Sequence, residues 1–147
     1  MSKINDLEIS VDGYSFNGFI IAKMQKMVHK RVFHDLKIDL SILNVENCHN
    51  VSVTVQDDLY LPKQGTMITF ILETLFTIES GDYTFLDEPE NEETIEVMTD
   101  LIQVAIAHAR PLMFLWAESE GYSISIPYYL PDHVRHYTKE SLVKACA

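Results

Sequence analysis

The sequence predicts a single α+β domain: a four-stranded antiparallel β-sheet followed by a long C-terminal helix packed on one face. Three observations carry this expectation. Segments in which apolar and polar residues alternate recur up to Glu79, separated by short turns. From about Asn91 the apolar spacing changes to three and four. Strands followed by helices, rather than strands alternating with helices, argue α+β. A chain of 147 residues is the size of one domain. It can bury roughly 68–70 % of its unfolded surface, so it needs no disulfide or metal staple to fold.

Residues 1–15 are polar and weakly periodic, which suggests a loose N-terminal arm. Residues 19–33 fit two templates. Ile20, Ala22, Met24, Val28 and Val32 match a strand, while Ile20, Met24, Met27 and Arg31 match a helix. The flanking β-branched and aromatic residues favour a first strand here. Leu36, Ile38, Leu40 and Ile42 then alternate with Lys37, Asp39 and Ser41, the clearest strand pattern in the chain. A polar turn over residues 46–50 leads to Val51, Val53 and Val55, and a Pro62–Gly65 turn leads to a fourth strand over residues 67–79. In that strand Ile68, Phe70, Leu72, Phe76 and Ile78 share the core face.

An acidic loop follows, and a helix is expected to start near Asn91, where Glu92, Glu93 and Glu96 suit the positive end of the macrodipole. Its apolar face comprises Ile95, Met98, Leu101, Ile102, Ala105, Ile106 and Ala109. Pro111 should kink or restart it, and helical content should reach Trp116 or Ala117. Gly121 turns the chain, and residues 132–147 read as a polar tail or a short helix.

Charge narrows the function classes. Eleven Lys and Arg against 22 Asp and Glu leave a net charge of −11, which repels phosphate and makes nucleic acid and anionic membrane poor partners. The distribution is uneven, with no cation between Lys63 and Arg110 but a crowd of them from Lys23 to Lys37. No apolar run approaches the ~20 residues of a membrane span. The first residues do not read as a secretory signal, and two cysteines, Cys48 and Cys146, are too few for a disulfide scaffold. Together these features point to the cytoplasm.

No phosphate-binding glycine loop or nucleophile elbow is present, so neither cofactor nor nucleotide is expected. His133 and His136 lie three apart but lack evident further metal ligands. Glu73, mid-strand among apolar neighbours, and His108, near Pro111, are the candidates for an acid or base. No nucleophile–base–orienter set can be assembled around them, which argues against an enzyme. More informative is the fourth strand, where Met67, Ile71 and Leu75 lie on the face away from Phe70 and Leu72. Apolar residues on both faces of an antiparallel strand imply a covering helix on each face, an oligomer interface or a binding surface. Trp116 and Tyr122, near the helix end, complete the candidate client-binding or interface residues, and Glu73 is a candidate acidic partner contact.

KIDLS (residues 37–41), FILETLFTI (residues 70–78), the Ala109-Arg110 pair preceded by His108, and ISIPYYLP (residues 124–131) resemble, in order, signatures of the SecB family of protein-export chaperones. The likeness spans about residues 16–131. It implies a four-stranded antiparallel sheet with a long helix on one face. It also implies a homotetramer built as a dimer of dimers, and ATP-independent binding of unfolded or preprotein chains in apolar grooves. Export members also dock on the motor SecA, but their metal-binding tail has no clear equivalent here, and Pro111 departs from the family pattern. SecB-like domains also serve toxin–antitoxin pairs, so a chaperone dedicated to one partner is the alternative. A small enzyme using the sheet–helix cleft is another.

Overall fold

The computed structural model describes residues 8–21, 33–45, 48–61, 65–79, 88–122 and 131–145. Four strands, β1 (Glu8–Ile20), β2 (Phe33–Val45), β3 (Cys48–Leu61) and β4 (Gly65–Glu79), precede two helices, α1 (Glu92–Ser119) and α2 (Pro131–Ala145). The strands form one sheet in the order β1-β4-β3-β2, and every neighbouring pair is antiparallel. This is the α+β architecture that the change of period predicts.

Period-2 patterning fixes β2 to β4. Leu36, Ile38 and Leu40 on β2, Val51, Val53 and Val55 on β3, and Ile68, Phe70, Leu72, Phe76 and Ile78 on β4 are buried on one common face. Both helices lie on that face. A helix is about 10 Å across and strands lie about 4.8 Å apart, so one helix covers roughly two strands. Accordingly α1 packs mainly on β3 and β4, while α2 packs on β2 and against α1. Little helix is left for β1, whose apolar residues on the same face stay largely exposed.

Local chemistry sets the helix ends. The Asn91 side chain accepts a hydrogen bond from the Glu93 amide at 2.8 Å, and Glu92 and Glu93 occupy the first turn. At the other end Gly121 takes φ +83°, and the Tyr122 amide donates back to the Ala117 carbonyl at 2.8 Å.

Three expectations need correction. The loose arm over residues 1–15 is instead strand from Glu8 onward. A register shift between Val11 and Gly13 leaves Asp12 as an extra residue. Ile9 and Val11 before the bulge, and Tyr14 and Phe16 after it, therefore reach the same face although their parity differs, which masks the alternation. Second, of the strand expected over residues 19–33, only Phe19 and Ile20 belong to β1 and Phe33 to β2; residues 22–32 lie outside the described residues. Third, α1 runs through Pro111 as one helix and ends at Ser119. The carbonyl that Pro111 deprives of a partner belongs to exposed Ala107, where water can reach it, while buried Met113 and Ala117 hold the last turns to the core. The expected C-terminal tail or short helix is helix α2.

Candidate functional site

The face of the sheet turned away from the helices is polar at its centre, with Phe19, Phe33 and Leu43 exposed towards its margins. Ser15 and Asn17 on β1, Ser52, Thr54 and Gln56 on β3, and Asp39 and Ser41 on β2 surround Ile71 and Leu75, which remain accessible. Asp58 anchors one end of this face. It accepts from Thr69 Oγ1 at 2.8 Å, Lys37 Nζ at 3.0 Å and Gln56 Nε2 at 3.2 Å. Burial pushes its carboxyl up, but these donors outweigh that and hold it below the usual carboxylate value. The same contact raises the Lys37 ammonium. Near the other end a shallow groove of about 320 Å³ is lined by Asp12, Ser41, Leu43, Asn50, Ser52 and Leu75. There Thr77 donates to Asp12, and its hydroxyl lies 3.2 Å from the Asn50 oxygen.

The fold does not gather the residues predicted to bind clients or form an interface into one groove, and only Leu75 lines the groove just described. Ile71 and Leu75 stand on the outer face, and Glu73 between them is exposed there. Met67 is buried instead. Ile68 pairs with Leu59 and Thr66 with Tyr60, so Met67 is an extra residue at an irregularity, and it joins the core. Tyr122 is also buried, because the turn at Gly121 folds it back under α1. Trp116 is half-buried on the helix side, edge-on to Phe70 at 5.3 Å between ring centres. Its indole lies against Gly18 so closely that a Cβ on that glycine would be 2.4 Å from the ring.

The two acid–base candidates are likewise separated. Glu73 faces outward from the sheet, whereas His108 sits on α1 with its ring edge-on to Tyr14 of β1, 4.4 Å between centres. His136 engages Glu140 at 3.1 Å, and the side chain of His133 lies outside the described residues. Among the described residues no group of three or more His, Cys, Asp or Glu is placed to hold a metal ion.

Sequence reasoning missed where the exposed apolar surface collects. On β1 it comprises Ile9, Val11, Tyr14 and Ile20 on the helix side and Phe19 on the outer face, with Ile21 just beyond the strand. On α1 the outward face changes character along its length. Glu92, Glu96 and Asp100 lead into Val104, Ala107, Pro111, Phe114 and Leu115, all on one side at spacings of three and four. Leu115 is 59 % exposed and Val11 55 %. The spacing of this stripe was available in the sequence, but the competing buried face of α1 is longer and absorbs the helical period.

Compared with models of known protein families and with the sequences of curated proteins, the chain matches neither. No described helix is long and apolar enough to cross a membrane.

Proposed function

We propose that this chain is the subunit of an oligomeric, ATP-independent holdase that binds unfolded or preprotein chains, as its resemblance to the SecB family implies. One observation carries the reading: apolar side chains concentrate on the helix-side surface of β1 and the outward stripe of α1, on a molecule of net charge −11. A surface of this kind on a free monomer would associate, and the negative charge keeps the assembly soluble. Part of the surface is spent on self-association into a tetramer, and the rest receives client segments through apolar burial, at roughly 25 cal/mol per Å². Ile71 and Leu75, on the opposite face, are secondary contacts in this scheme.

The test is suppression of aggregation of several unrelated refolding proteins at stoichiometric amounts, with and without ATP, on material whose mass is measured by light scattering. The expected result is suppression by an oligomer, indifferent to nucleotide. Suppression for none of them overturns the general holdase and leaves the chaperone of a single partner, while a stable monomer of about 17 kDa removes the assembly.

A further inference from the structure

The main chain is protected differently at the two edges of the sheet. On β2 a covering helix is in place: α2 packs on that strand, and Ser141 Oγ donates to the Ile38 carbonyl at 3.0 Å. By contrast β1 ends the sheet, pairs with β4 alone among the described strands and is exposed along most of its length. The row of N–H and C=O groups on its far side is open to a further strand. One residue interrupts that row. Val11 pairs with Phe76 and Gly13 with Leu75, which leaves Asp12 without a partner on β4.

This extra residue is not needed to aim the side chains of β1. With Asp12 removed, the Val11–Phe76 and Gly13–Leu75 pairs become consecutive, and Ile9, Val11, Tyr14 and Phe16 alternate onto the helix side without a break. Nor does its carboxylate stand on the open edge as a charge. It leans inward over β4, where the Thr77 hydroxyl donates to it, and Ser10 Oγ donates to it from its own strand at 3.3 Å. The side chain pins the bulge. What the bulge changes is the backbone, which bends and twists there and loses the even spacing of its outward groups.

We propose that the Asp12 bulge is an edge guard: it breaks the main-chain hydrogen-bonding row on the open side of β1, so that a second copy of this chain cannot extend the sheet along the whole strand. A regular edge would offer an incoming antiparallel strand one continuous ladder over the 13 residues from Glu8 to Ile20. With the bulge, a register that fits Glu8–Val11 is out of step for Gly13–Ile20, and a regular strand can follow only one of the two. Two copies of β1 could match bulge to bulge in a single register, and that register sets Asp12 against its own counterpart, like charge directly opposite like charge. The guard acts on main-chain pairing, not on the apolar side chains proposed above to assemble the subunits, so it stands or falls without the holdase reading.

The test compares the full chain with a variant lacking Asp12 and with Asp12→Ala, which keeps the extra residue and removes only the carboxylate. Light scattering over a range of concentrations reads the mass, and amide hydrogen exchange reads the edge. Deletion should raise the mass above that of the unaltered chain at every matched concentration. As the mass rises, the outward amides of β1 should gain protection on both sides of position 12. Asp12→Ala should keep the mass of the unaltered chain. An unchanged mass on deletion, a raised mass without new protection of β1, or a mass in Asp12→Ala raised as far as on deletion overturns the proposal. Should the deletion variant not fold, as read by circular dichroism, exchange in the unaltered chain decides. Protection of the outward β1 amides that grows with concentration and runs unbroken across position 12 overturns the guard, and protection that is absent or stops at the bulge upholds it.

Discussion

The two edge strands, β1 and β2, are built to opposite specifications. On β2 the helix-side residues Leu36, Ile38 and Leu40 are buried under α2, and the outward residues Asp35, Lys37 and Asp39 put charge along the other face. Charged outward positions and a covering element are the means by which proteins blunt an edge against unwanted pairing. Most of β1 is exposed, and of its helix-side residues Ile9, Val11, Tyr14 and Ile20 only Tyr14 has a ring contact with α1, at His108. It carries just two charged residues, Glu8 and Asp12. One edge is finished within the subunit. The other is left largely exposed.

The largest expected effect sharpens that contrast. Ile38→Ala on β2 should cost about 2–5 kcal/mol of subunit stability through the cavity it leaves. Val11→Ala on β1 should cost the isolated subunit much less, because more than half of the side chain is already exposed. Chemical denaturation of both variants under matched conditions checks this, and equal losses would mean that β1 is as well packed as β2.

A single close approach holds the end of β1 to α1. Gly18→Ala would drive a methyl group into the Trp116 ring, at an overpacking cost of about 1–3 kcal/mol. A second substitution, Trp116→Leu, should recover part of the loss, read by thermal unfolding of the single and double variants. No recovery would show that the glycine matters for another reason.

The third effect is on assembly rather than stability. Val11→Lys gives β1 the kind of charge that guards β2, so it should lower the mass measured by light scattering while leaving the circular dichroism spectrum intact. Leu43→Lys on β2 should leave the mass unchanged. If both variants behave alike, β1 is not the edge that associates.

The smallest effect concerns the charges that guard β2. The folded-state value of Asp58 is depressed, so its contribution is present above the unfolded carboxylate value of about 3.8 and fades as pH falls through the lower folded one. Asp58→Asn should therefore destabilise the protein at pH 7, and the difference from the unaltered chain should shrink towards pH 3. A difference independent of pH would mean that the hydrogen bonds to Thr69 and Gln56 matter and the charge does not.

Much of this fold is legible in the sequence, and the illegible parts share a cause. Alternation in β2 and the first half of β3 is unbroken, so their faces follow directly. The same reasoning fails at Asp12 and at Met67, where one extra residue shifts the parity. Parity rightly keeps Ile71, Glu73 and Leu75 off the core face, yet it cannot show that their neighbours on β1, β3 and β2 are serine, threonine, asparagine and glutamine. That requires strand order and register. The expected apolar second face is therefore polar around Ile71 and Leu75, with Phe19, Phe33 and Leu43 towards its margins.

What the sequence determined by itself is local. The period of each segment, the Asn91 cap with Glu92 and Glu93, and the reversal at Gly121 all depend on residues within a turn or two of one another. Tertiary structure decided what is buried. Because α1 packs on β3 and β4 while α2 packs on β2 and against α1, apolar surface remains open. That it remains on β1 and on the outward stripe of α1, rather than behind β4, follows from where α1 crosses the sheet. Burial belongs to pairs of surfaces, and a single segment's pattern states only that it has a face to bury.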